Sequence, residues 1–65
     1  MIISHNKYSI ASKSFPLKFY SYNGVETDEL LYLNMMSYEK CETALKEFDD
    51  PEQYQILQVK VTFEI

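Results

Sequence analysis

The chain has 65 residues, 46% of them hydrophobic and 15% aromatic, with ten acids against six lysines and a net charge of −4. That composition excludes a disordered acidic tail, since the apolar content suffices for a core, and 65 residues allow one domain, spanning 1–65. The single cysteine, Cys41, excludes a disulfide framework or multi-cysteine zinc cluster, and no charged leader precedes a long apolar run. The expectation is therefore a cytoplasmic domain that enters no membrane.

Charge is unevenly spread. Residues 1–25 carry Lys7, Lys13 and Lys18 with no acid, whereas residues 26–65 carry all ten acids and three lysines. The C-terminal part should repel phosphate backbones and attract basic protein surfaces. There is no arginine or tryptophan, and Phe, Tyr, Met, Ile, Asn and Lys supply 27 residues. AT-rich codons give such a bias, as in a low-GC bacterium or its phages.

In chain order, Ile2, Tyr8 and Ile10 share one parity but are interrupted by Ser4 and Asn6, which predicts a first strand over the second half of Ile2 to Ala11. Phe15 to Tyr22 predicts a second strand, with Phe15, Leu17 and Phe19 toward the core and Lys18, Tyr20 and Tyr22 outward. Asn23-Gly24 then marks a hairpin turn. A two-residue loop would set Asp28 opposite Phe19, so like-with-like pairing favours Leu17 with Leu33, Phe19 with Leu31 and Phe15 with Met35. This implies a longer loop and a third strand over Glu29 to Met36, with Leu30, Tyr32 and Met36 on an uncovered side.

Ser37 reads as the N-cap of a helix over Tyr38 to Phe48, whose Tyr38, Cys41, Ala44, Leu45 and Phe48 form an apolar stripe. Glu42 and Lys46 stand four apart, in the favourable order for a pair. Asp50-Pro51-Glu52-Gln53 resembles a capping box opening a single turn. Leu57, Val59, Val61, Phe63 and Ile65 alternate with polar residues as a last strand, expected to pack its apolar side on Cys41, Leu45 and Phe48. The expected fold is α+β: a three-stranded antiparallel meander, one helix and a C-terminal strand (β-β-β-α-β) in two layers. If the last strand returns beside the first, the third becomes an edge.

No catalytic constellation emerges. His5 stands near a terminus, Cys41 lies on the apolar stripe, and neither a Gly-x-Ser-x-Gly elbow nor a glycine-rich phosphate loop occurs. Glu47, Asp49, Asp50 and Glu52 lack the twelve-residue spacing and central glycine of a calcium hand, so neither metal nor other cofactor is expected. The acids still need an explanation. Carboxylates at a helix C-terminus oppose the macrodipole, by ~0.3–1 kcal/mol each. Asp50 could serve as a cap, but Glu47 and Asp49 could not.

These four acids, with Tyr20, Tyr22 and Tyr32, are the candidate partner-binding residues. Tyrosine is a rigid interface anchor, and acids would steer the chain to a basic surface. Composition suggests a non-enzymatic inhibitor of the phage or mobile-element kind, an anti-CRISPR, anti-defence protein or antitoxin, that blocks a basic surface of a host protein. That analogy is compositional, and no motif carries it. The alternatives are an assembly subunit that homodimerises through its sheet and a single-stranded nucleic-acid binder using Lys18, Tyr20 and Tyr22. Net charge weighs against the latter.

Overall fold

The computed structural model describes residues 1–65. Strand β1 (Ile2–Ser12) is followed by two short strands, β2 (Phe19–Tyr20) and β3 (Glu26–Thr27). A 3-10 turn (Tyr32–Asn34) leads to helix α1 (Tyr38–Lys46), then a second 3-10 turn (Pro51–Gln53) leads to β4 (Tyr54–Glu64). The sheet is antiparallel with order β3-β2-β1-β4, so the last strand does return beside the first. The α+β class follows from this sheet and the helix across it. No helix is long and apolar enough to cross a membrane.

β1 and β4 pair over eleven residues, Ile2 opposite Glu64 through Ser12 opposite Tyr54. β1 is therefore twice the expected length. Ser4 and Asn6 are tolerated because that half of the strand is exposed, and no core excludes them. Alternation along this ribbon gives two faces. Tyr8, Ile10, Tyr54 and Ile56 share the helix side, as does Tyr20 of β2, which stands opposite Ile10. The core is built there, from Ile10, Met36, Cys41 and Ala44, with Tyr8, Tyr20, Leu45, Phe48, Tyr54 and Ile56 packed around them.

This reverses two expectations. The apolar parity of β4 (Leu57, Val59, Val61 and Phe63) lies on the face away from α1, because the helix crosses only the end of the sheet where Tyr54 and Ile56 are the inward residues. In β2, Tyr20 faces the helix and Phe19 faces away, while Phe15 is 86% exposed.

The hairpin differs too. Phe19 pairs with Thr27 and Tyr20 with Glu26, so neither the Leu17–Leu33 register nor the two-residue loop forms. Ser21 and Val25 close a three-residue loop, in which the Gly24 amide donates to the Ser21 carbonyl at 2.9 Å and Gly24 takes φ +84°. A type I turn ending on a left-handed glycine suits such a loop, and it moves Asp28 beside Lys18, with which it forms an ion pair.

The expected third strand over Glu29 to Met36 is replaced by β3 and the first 3-10 turn. Buried Asn34 explains why: its Oδ1 accepts from the Leu31 amide at 2.8 Å and from the Thr27 hydroxyl at 3.1 Å, so a side chain takes the place of a ladder partner. Leu31, Tyr32 and Leu33 are left exposed, whereas Met36 is buried and exchanges two backbone hydrogen bonds with Tyr8. The segment lies under the far face of the sheet, where Tyr32 sits beside His5, Lys7, Val61 and Phe63.

α1 begins as expected, the Ser37 hydroxyl accepting from the Lys40 amide at 3.2 Å. It ends at Lys46 rather than Phe48, as the Glu47 and Phe48 amides turn back to Ala44 and Leu45 in a tightened last turn. Glu42 and Lys46 form no ion pair; the single ion pair of the chain is Lys18–Asp28.

Candidate functional site

Helix end, hairpin and the start of β4 meet around three rings. Phe48 and Tyr54 stand 4.7 Å apart between centroids at 90°, and Tyr20 meets Phe48 at 5.6 Å and Tyr54 at 5.1 Å, all edge to face. Edge-to-face pairs of this kind are worth ~0.5–1.5 kcal/mol beyond the area they bury. The rings line an open cleft of about 330 Å³ whose rim carries Glu47, Asp49 and Asp50, with Gly24 across from them.

Local sequence explains why the acids gather there. The tightened end of α1 leads directly into Asp49 and Asp50, and Pro51 then opens the second 3-10 turn. Asp50 fills the N-cap position, but its side chain makes no capping bond; the Gln53 amide donates instead to the Asp50 carbonyl at 2.9 Å. The expected capping box is therefore absent. With it goes the structural reason for an acid at position 50. None of the Glu47, Asp49, Asp50 or Glu52 carboxylates accepts a hydrogen bond or joins an ion pair within the chain.

A further acid borders the rings. The Tyr20 hydroxyl donates to Glu26 Oε1 at 2.8 Å, and burial together with that carboxylate raises the phenol well above its ordinary range. Tyr20 stays protonated and neutral, so the cleft combines apolar ring surface with net negative charge at its rim. Such a site suits a cation. An ammonium or guanidinium group could lie against the rings while carboxylates accept its N–H groups.

Of the candidate residues, the structure brings together Tyr20, Glu47, Asp49 and Asp50. Glu52 is exposed on the following turn and does not line the cleft. Tyr22 lies in the hairpin loop, 54% exposed, and Tyr32 lies on the opposite face, 67% exposed, beside a smaller cleft of about 200 Å³. The Lys18, Tyr20 and Tyr22 platform does not form, because Lys18 is tied to Asp28 and Tyr20 packs toward the helix.

Sequence reasoning missed Phe48 and Tyr54 as site residues. Their signal was two aromatic residues bracketing an acidic turn. His5 stacks edge to face on Phe63 at 6.1 Å, and Cys41 is fully buried with its thiol pushed up to about 11 by desolvation. No group of three or more His, Cys, Asp or Glu side chains is placed to share a metal ion.

Comparison with protein-family models, curated proteins and solved structures finds no match for this chain.

Proposed function

We propose that this chain is a non-enzymatic binding domain that takes a lysine or arginine side chain of a basic protein surface into the Tyr20–Phe48–Tyr54 cleft. One observation carries the reading: the Glu47, Asp49 and Asp50 carboxylates at the mouth of an aromatic cleft have no partner within the chain. Stability does not call for them, since two oppose the helix dipole and the third caps nothing. Partner recognition does.

Occupying a basic surface excludes whatever else binds it. Inhibition by occlusion is thus the mode of action this reading implies, in keeping with the phage- or mobile-element-encoded inhibitors of host proteins that the composition suggests. Where the target binds nucleic acid, the carboxylates would stand in for phosphates.

The test is a titration with a tetra-arginine peptide, followed through the ring resonances of Tyr20, Phe48 and Tyr54. Binding should perturb these rings, weaken as salt rises, and disappear in the Glu47→Gln, Asp49→Asn, Asp50→Asn variant. Perturbation confined to other residues, or an undiminished response in the variant, would overturn the proposal.

A further inference from the structure

A second surface lies at the other end of the molecule. β4 is the outer strand of the sheet along its whole length. The ladder shows which of its backbone groups are free. Met1 and Ile65 exchange hydrogen bonds, and the Lys13 amide donates to the Gln53 carbonyl. Antiparallel alternation then turns the odd-numbered groups of β4 toward β1 and the even-numbered ones outward. β1 agrees: the amides of Tyr8 and Ser12 look away from β4, to Met36 and Lys18. Gln58, Lys60, Thr62 and Glu64 accordingly present an open row of donors and acceptors.

Beyond the Tyr8–Met36 bridge the ribbon has no other strand beside it, so residues 2–7 and 59–65 project as a two-stranded arm. The molecule is elongated to match, 43 × 24 × 16 Å, and has 32 backbone–backbone hydrogen bonds. That is roughly a third fewer than a domain of this size ordinarily carries. Two-stranded ribbons are marginal in water. The arm nevertheless exposes Ile2 (67%), Phe63 (47%) and Ile65 (76%).

The side chains on the free edge are complementary to themselves. Lys60 lies opposite Asn6 and Glu64 opposite Ile2, so neither has an oppositely charged partner across the ribbon. Antiparallel pairing of two such edges requires even residues to meet even residues. A two-fold axis at Lys60 would oppose like charges. Moving it to Thr62 places Lys60 opposite Glu64 of the partner subunit, twice by symmetry. On the other face, the same register sets Val61 against Phe63 of the partner subunit and Val59 against Ile65 of the partner subunit.

We propose that β4 joins β4 of a second copy, antiparallel about a two-fold axis at Thr62, to form one continuous sheet across two subunits. The cleft rimmed by Glu47, Asp49 and Asp50 takes no part in this contact and is presented twice by the assembly.

Light scattering across a concentration series tests this. The wild-type chain should pass from monomer to dimer. Lys60→Glu and Glu64→Lys should each weaken the dimer ~tenfold, by replacing two attractive cross-strand pairs with two repulsive ones. The double exchange should restore it. All three variants alter exposed side chains, and unchanged thermal unfolding of the monomers would establish that they fold. A wild-type chain that stays monomeric at millimolar concentration would overturn the proposal, as would a dimer indifferent to both single exchanges.

Discussion

Phe48 and Tyr54 meet edge to face across the turn that joins helix to last strand, their ring centroids 4.7 Å apart. This contact fixes where the acidic turn sits: Asp49 and Asp50 are held between two packed rings rather than on a free loop. Phe48→Ala should cost about 2 kcal/mol, less than a fully buried phenylalanine because the ring is only partly buried. Amide exchange in Asp49 to Gln53 should accelerate beyond that global loss. Chemical denaturation with hydrogen exchange measures both. Equal acceleration throughout the chain would show that the ring pair does not organise the turn locally.

Neutralising the acids should have the opposite effect on stability. Glu47 and Asp49 stand at the C-terminal end of α1 with no compensating partner. Glu47→Gln and Asp49→Asn should each stabilise the fold by ~0.3–1 kcal/mol, an effect that shrinks as salt is added. A residue that serves binding at a cost in folding stability is the signature of a functional site. If either substitution destabilises, the acids have a structural role after all.

Asn34 should be among the least replaceable residues in the chain. It is fully buried, and its Oδ1 satisfies the Leu31 amide and the Thr27 hydroxyl while its Nδ2 has no partner. Asn34→Ala would orphan the Leu31 amide, while the Thr27 hydroxyl could still donate to the Glu29 carbonyl, and should cost ~1–3 kcal/mol. Urea titration measures the loss. A change below roughly 0.5 kcal/mol, the size expected of a surface substitution, would show that the first 3-10 turn does not depend on this side chain.

Asn34 also shows why the middle of the chain was not legible in sequence. Leu30 to Met36 offers apolar residues of both parities, so period two can be imposed on it in either register. What decides is a polar side chain reaching back to Thr27 and Leu31, which periodicity does not contain. Where local chemistry acts within a few residues, the reading holds: the Ser37 cap, the Cys41, Ala44 and Leu45 stripe, and a turn around Asn23-Gly24. Alternation in β4 identified the strand but not the side the helix covers, because helix position is a tertiary choice. For the same reason parity alone points Tyr20 outward, whereas it packs toward the helix. The acidic rim was visible as an unexplained charge cluster, while its aromatic floor needed β2 and β4 to be brought together.

Three groups of the folded chain hold their protons more firmly than they would in the unfolded one. Burial pushes the Cys41 thiol up to about 11 from its ordinary 9.0, burial and then Glu26 raise Tyr20, and the hydrogen bond to Asp28 raises Lys18. A group whose pKa is higher folded than unfolded contributes its full stability below the unfolded value and loses it as pH climbs through the folded one. All three therefore act in the same direction. Stability should be flat up to about pH 9 and fall from there through pH 11 as the unfolded state gives up protons that the folded state retains. Urea midpoints measured across that range check the trend. In Cys41→Ala the fall should begin at higher pH, since only Tyr20 and Lys18 remain to drive it. An unchanged onset in that variant would show that the buried thiol does not contribute to the alkaline loss.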